Sequence, residues 1–246
     1  MHSPVYFISD VHLAIQPSEE EHKKQQRLFQ FFHHVAQTGG TLFILGDLFD
    51  FYFEYPHVIP KMYFQLYHEL FHLKSKGVAL HFMAGNHDYW FQDFISEKLF
   101  DKTYADDTVV EVNGKKFYLT HGDGILSWDR GYRLLKMVIR NPVFIWLYRW
   151  VHPTIGYSIA NWISKKGQHY EHSDEHNERI LSELEVFSKP YITNGFDYVI
   201  TGHYHQATEK MINGGKLLIL GDWIHYFTYG YFNGNDLSLK FWETDE

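Results

Sequence analysis

Cysteine is absent from the 246-residue chain. That excludes disulfides, thiolate nucleophiles and cysteine-ligated zinc, and it agrees with a reducing cytoplasm. No secretory signal is expected: Met1 runs within a few residues into Val5-Tyr6-Phe7-Ile8, with no basic region or cleavage site before it. No uncharged apolar run reaches the ~18 residues that a spanning helix needs. The longest apolar region, 141–163, is interrupted by Arg149, His152 and Pro153. A net charge of −8 argues against a general nucleic-acid binder, which is normally basic. Acid is missing locally instead. Between Arg130 and Tyr170 there is no Asp or Glu, yet the stretch holds seven bases: Arg130, Arg133, Lys136, Arg140, Arg149, Lys165 and Lys166. This +7 segment leaves −15 on the remainder.

Core-forming residues are plentiful. With 45% hydrophobic and 19% aromatic residues, disorder is excluded. Short apolar runs at 5–9, 41–45 and 78–83 read as buried strands, separated by amphipathic helices over 19–37 and 57–76. That order predicts a mostly parallel sheet. Asn113-Gly114, Asn213-Gly214-Gly215 and Asn233-Gly234-Asn235 then mark hairpins, joining strands 108–112 to 116–120, 208–212 to 216–220, and 226–232 to 236–242. Another strand is expected over 198–201. Residues 129–189 carry no strand signal and read as several helices, broken at Pro142 and Pro153. The expectation is one domain over 1–246 with a helical lid, 128–193, inserted in an α/β core.

Five motifs follow predicted strands: Ser9-Asp10-Val11-His12, Gly46-Asp47-Leu48-Phe49-Asp50, Gly85-Asn86-His87-Asp88, His121-Gly122-Asp123 and Gly202-His203-Tyr204-His205. Any one alone is what a turn beside a surface histidine produces, and the chain has 18 histidines. Five at strand exits are another matter, because ligands of open α/β sheets bind beyond the carboxyl ends of the strands. Asp, His and Asn are the ligands of borderline divalent metals.

In this order the motifs resemble the calcineurin-like metallophosphoesterase superfamily. The resemblance covers the whole core. It implies a four-layer α/β/β/α sandwich and two divalent metal ions, manganese above all, with iron or zinc as alternatives. It also implies the ligands: Asp10, His12, Asp47 and His205 for one metal, and Asp47, Asn86, His121 and His203 for the other, Asp47 bridging. A hydroxide held between the metals would attack phosphorus. His87 would contact the phosphate and protonate the leaving oxygen, or merely position the phosphate. Asp50, Asp88 and Asp123 are expected behind the ligands, orienting imidazoles; helix capping is the alternative for Asp50.

The insertion bears on substrate. Apolar residues of 139–163 fall on every side of the helical wheel, with bases beside them and no acids. This suits acyl chains with anionic head groups, or a membrane surface; packing among the lid helices or a dimer interface is the plain alternative. Within the superfamily the chain resembles the UDP-2,3-diacylglucosamine pyrophosphatases of lipid A biosynthesis. His121-Gly122-Asp123 is followed at the family's spacing by Asp129 and Tyr132, which there contact substrate. Ser164, Lys165 and Lys166 resemble a Ser-Lys stretch of the family's lid. Leu220-Gly221-Asp222-Trp223 resembles its Leu-Gly-x-Trp strand. Asn86 and His203 would touch substrate as well as metal. The best-known branch carries Gly-Asn-Arg-Asp where this chain has Gly-Asn-His-Asp, which leaves the reaction intact and the exact substrate open. The implied partner is an anionic glycolipid-nucleotide. The implied place is the cytoplasm, peripheral at the inner leaflet. No nucleic acid and no protein partner are indicated. Two rivals remain: a metallophosphoesterase acting on a soluble phosphodiester, phosphomonoester or phosphoprotein, and a non-catalytic scaffold of the same fold.

Overall fold

Three almost wholly buried strands open the chain: β1 (Val5–Ile8), β2 (Thr41–Leu45) and β3 (Ala79–Met83), paired in parallel. The structure, a computed structural model, describes residues 1–16, 18–167 and 173–243, with side chains described outside 161–167. Between β1 and β2 runs α1 (Glu19–Thr38), started by the Ser18 hydroxyl, which accepts from the Glu21 amide at 3.1 Å. Between β2 and β3 lies α2 (Phe64–Ser75). The expected helix start at His57 is too early. Pro60 disfavours helical backbone at Ile59, and only a 3-10 turn, Lys61–Tyr63, leads into α2.

A three-residue edge strand that the sequence did not announce, β4 (Lys102–Tyr104), pairs in parallel with β3. The hairpin of β5 (Thr108–Val112) and β6 (Lys115–Thr120) follows. Four helices then occupy the acid-poor segment and its sequel: α3 (Arg130–Ile139), α4 (Pro142–Tyr148), α5 (Pro153–Gly167) and α6 (Asp174–Thr193). Pro142 and Pro153 each stand at a helix start, where a missing N–H costs nothing. The chain ends in β7 (Tyr198–Thr201), β8 (Ala207–Ile212), β9 (Gly215–Leu220), β10 (Thr228–Phe232) and β11 (Leu237–Phe241). β10 begins two residues later than its apolar run, because Phe227 has φ +52° and cannot continue a strand.

The strands form two mixed sheets, β11-β10-β1-β2-β3-β4 and β5-β6-β7-β9-β8. Alternation along β1 shows the layering. Tyr6 and Ile8 face α1 and α2 with Leu28, Phe31, Leu70 and Leu73. Val5 and Phe7 face the second sheet, with Phe43, Phe117, Leu218 and Phe232 between the sheets. On the far side, Ile180 and Leu184 of α6 pack on Val199, Leu217 and Ile219. This is the four-layer α/β/β/α sandwich. Of the helices between 128 and 193, α6 is thus the sandwich's outer layer, whereas α3 and α4 bury no residue. No described helix is long and apolar enough to cross a membrane.

Candidate metal centre

The five motif loops meet at one end of the sandwich. The Asp10 amide donates to Gly46 O at 3.1 Å, His12 N to Asp47 O at 2.9 Å, and Gly202 N to His121 O at 3.0 Å. The His203 amide reaches across the sheets to Asp10 Oδ2 at 2.8 Å. Asp10, His12, Asp47, His203 and His205 all have φ between +46° and +68°. Non-glycine residues held there cost about 1 kcal/mol or more each and cluster where function demands them. The strand exits have been bent to turn these side chains toward a common point.

Two ligand sets result, and a third group, His12, Asp47 and His87, overlaps both. Asp10, His12 and His205 bring ligand atoms within 4.8 Å of one another, and so do Asp47, His121 and His203. Asp47 Oδ2 stands between them, 3.7 Å from His12 Nε2 and 3.3 Å from His121 Nε2. Asn86 Oδ1 lies 3.1 Å from His121 Nε2 and joins the second set. The imidazoles are aimed from behind. His121 Nδ1 donates to Leu45 O at 2.8 Å, leaving Nε2 toward Asp47.

Divalent cations fit these residues. Asp10 Oδ1 and His12 Nε2 are buried with no hydrogen-bond partner, a costly state for polar atoms that a cation would relieve. The loops are also cut to fit. A Cβ on Gly85 would lie 2.1 Å from Asp47 Oδ1, and one on Gly202 would lie 2.7 Å from Asp10 Oδ2.

Charge is concentrated here. Burial would raise the Asp47 carboxyl, but the His121 and His87 charges outweigh it and hold it well below the usual carboxylate range. His121 is pushed up to about 10, Asp47 overcoming burial, while burial and the His121 charge pull His203 down to about 4. A set of this kind releases protons when a cation takes it.

His87 is beside the cluster. Its Nδ1 donates to Asp50 O at 2.6 Å, its amide to Asp47 Oδ1 at 2.9 Å, and its ring centroid is 4.7 Å from that of His12. Asp50 Oδ1 is 4.0 Å from His12 Nδ1. Asp88 and Asp123 also have bonds of their own. Asp88 accepts from the Gly85 and Leu48 amides at 2.7 and 2.8 Å, stapling two motif loops together; burial and then the Asp47 charge push it up to about 7. Asp123 accepts from Tyr132 Oη at 2.9 Å and pairs with Lys136 and Arg140. Tyr132 places its ring 5.9 Å from that of His203. Asp129 stands at the first position before α3 without a side-chain capping bond, near the charges of Arg133 and His176. Ser164, Lys165 and Lys166 fall on α5, and their side chains lie outside the described residues.

One residue had no role assigned from sequence. Asp222 Oδ2 is 3.0 Å from His205 Nδ1, and Asp222 Oδ1 accepts from the amides of Ile224, His225 and Tyr226. The signal was there: Gly221-Asp222 follows β9 as Gly46-Asp47 follows β2.

The family model for calcineurin-like phosphoesterases matches residues 3–207. The chain is 31% identical to a UDP-2,3-diacylglucosamine hydrolase of Porphyromonas gingivalis, over 100% of both chains. It is 27% identical to the Yersinia pestis protein of the same name, over 88% of this chain and 90% of that one. Among solved structures, Vps29 of Entamoeba histolytica in complex with zinc superposes with a TM-score of 0.46 at 13% identity, covering 96% of each chain. With the match spanning most of the sequence and every motif loop up to His205, the chain belongs to the calcineurin-like phosphoesterase family and is a metallophosphoesterase-type hydrolase.

Proposed function

We propose that this hydrolase cleaves the pyrophosphate of a diacylated sugar nucleotide, converting UDP-2,3-diacylglucosamine to UMP and 2,3-diacylglucosamine 1-phosphate in lipid A biosynthesis. The placement of Asp47 Oδ2 between two imidazole–carboxylate sets carries the chemistry. The names of the P. gingivalis and Y. pestis relatives support the substrate. Asp10, His12, Asp47 and His205 would hold one cation, and Asp47, Asn86, His121 and His203 the other, with manganese the metal we favour. Such cations, when bound, lower the pKa of water toward neutrality and neutralise charge on phosphoryl oxygens.

The chain's own residues supply the rest. His87 has its Nδ1–H committed to Asp50 O, so Nε2 is the atom left to carry a proton to the departing oxygen. The Asp47 charge raises its pKa against burial, favouring the protonated, donating form. Tyr132, whose ring is 5.9 Å from that of His203, would contact the substrate's sugar or phosphate. The lid helices carry exposed apolar side chains, Leu134, Met137, Trp146 and Trp150, Trp150 to 77%. An exposed apolar patch of this kind marks a binding surface, and acyl chains at the inner leaflet fit it. The enzyme would act in the cytoplasm, peripheral to the membrane.

The test is to incubate the protein with Mn²⁺ and UDP-2,3-diacylglucosamine and to follow UMP. Rapid, metal-dependent release is expected. No release from protein that still hydrolyses a generic aryl phosphodiester would overturn the substrate and keep the family chemistry.

A further inference from the structure

Lid helix α3 packs only lightly: Tyr132 and Ile139 are half-buried, and Arg140 stacks on the Tyr89 ring at 4.2 Å. None of its residues is buried, and Leu134, Leu135, Met137 and Val138 are all exposed. Trp90 Nε1 donates to Ile139 O at 2.8 Å and Arg140 Nη1 pairs with Asp106 at 3.2 Å, but the largest group of its polar attachments meets at one carboxylate. Tyr132, Lys136 and Arg140 are spaced by four, so they share one face of the helical path. Tyr132 Oη, Lys136 Nζ and Arg140 Nη2 reach Asp123 Oδ2 at 2.9, 2.8 and 3.2 Å. Lys136 Nζ also donates to Asp123 O at 2.8 Å. Arg133 reinforces the same end, donating to the Leu126 and Ser127 carbonyls at 2.8 and 3.2 Å. Asp123 itself is buried, two residues past His121 on the loop that leaves β6.

Two consequences follow. Lys136 and Arg140 are not free to meet an anionic head group, because they are already engaged. And the loop that brings His121 to the metal centre is the loop on which the lid hangs.

We propose that Asp123 is a positioning residue: it clasps α3 through Tyr132, Lys136 and Arg140, fixing the lid over the metal centre with its apolar face turned away from the clasp. This rests on the lipid-substrate reading only for its kinetic consequence. Charge-assisted bonds to a buried carboxylate are strong and strongly directional, so loss of the charge frees the helix rather than the sandwich.

The experiment uses the full Mn²⁺-loaded chain and two variants, Asp123→Asn and the pair Lys136→Met with Arg140→Gln, which keeps the carboxylate. Amide hydrogen exchange is read first. In both variants, exchange over 130–140 is expected to quicken at least tenfold, while the amides of β1 and β2 stay as in the parent. Kinetics follow: KM for the diacylated sugar nucleotide is expected to rise at least tenfold, with kcat changed less than threefold. Unchanged exchange over 130–140 in either variant overturns the proposal. So does faster exchange with KM unmoved, or a fall confined to kcat. If the parent protein does not hydrolyse the diacylated substrate at all, the substrate reading fails, and the exchange result alone still decides the clasp.

Discussion

Asp222 holds His205 by a 3.0 Å hydrogen bond between its Oδ2 and the imidazole Nδ1. The bond fixes which nitrogen of His205 faces the metal centre and makes that nitrogen a better donor. It is also an electrostatic pair: the Asp222 bond and the Asp10 charge, against burial, push His205 up to about 9. Replacing Asp222 with Ala is expected to weaken binding of the cation at the Asp10 set about 10- to 100-fold, read by metal titration of protein whose circular dichroism is unchanged. Asp222 also holds the turn at 224–226. Asp222→Asn is therefore the companion variant: its oxygen can still accept those amides while its NH₂ cannot accept from His205. Parent-like affinity in both variants would remove Asp222 from the centre.

Asp47 Oδ2 faces both ligand sets, 3.7 Å from His12 Nε2 and 3.3 Å from His121 Nε2. Asp47→Ala takes away the oxygen that faces His12 and His121 and leaves buried imidazoles without their counter-charge. Metal content should fall from two ions per chain toward none, and hydrolysis of any phosphodiester should fall by more than about 10³. Metal analysis beside a phosphodiesterase assay measures both. A metal-replete, active Asp47→Ala protein would refute the bridging role.

Gly85 is needed for want of space. An added Cβ would meet Asp47 Oδ1 at 2.1 Å and Asp47 N at 2.6 Å, and backbone cannot yield cheaply. Gly85→Ala should destabilise the protein by about 1–3 kcal/mol and lower its metal affinity, seen as a lower melting temperature whose metal-dependent rise is reduced. Gly131 on α3 is the control. A Cβ there meets nothing within 4 Å, so Gly131→Ala should be neutral or stabilise by up to about 1 kcal/mol. Equal losses in the two variants would mean that the crowding at Gly85 is not real.

How much of this could be read from the residues alone differed by element. The strands and the five motif loops were legible because buried strands write themselves as apolar runs and each run ended in Asp, Asn or His. β4 was not, since Lys102-Thr103-Tyr104 is too short to show a period and is a strand only because β3 offers it an edge. The start of α2 was blurred by apolar Val58 and Ile59, which continue the helical pattern across Pro60. Asp123 was legible as a motif residue but not as a clasp: its partners Tyr132, Lys136 and Arg140 are placed by the docking of α3, which no local pattern encodes. Asp222 is 17 residues from His205 in sequence, and only folding brings the two together.

Acid should weaken the fold partly through His81. This histidine sits on β3, buried against the rings of Phe43 and Tyr104 at 5.4 and 6.2 Å. Burial, the N-terminal charge and Lys102 pull its pKa down to about 4. In the unfolded chain it titrates near 6.5. Above that value the ring is neutral in both states and costs nothing. Between about 6.5 and 4 the unfolded chain holds the extra proton, so stability drops as pH falls, by at most about 1.4 kcal/mol per pH unit from this group. Below the folded value the contribution is constant. Other carboxylates and the metal ligands titrate too, so the quantity to measure is a difference: denaturant midpoints of the parent and His81→Phe, from pH 7.5 to pH 4.5. Phe keeps the ring against Phe43 and has no proton to gain. The two curves should run parallel above pH 7 and diverge below about 6.5, with the variant losing less. Parallel curves across the whole range would mean that the native fold admits a charged His81, and the acid sensitivity would have to be sought at the metal centre instead.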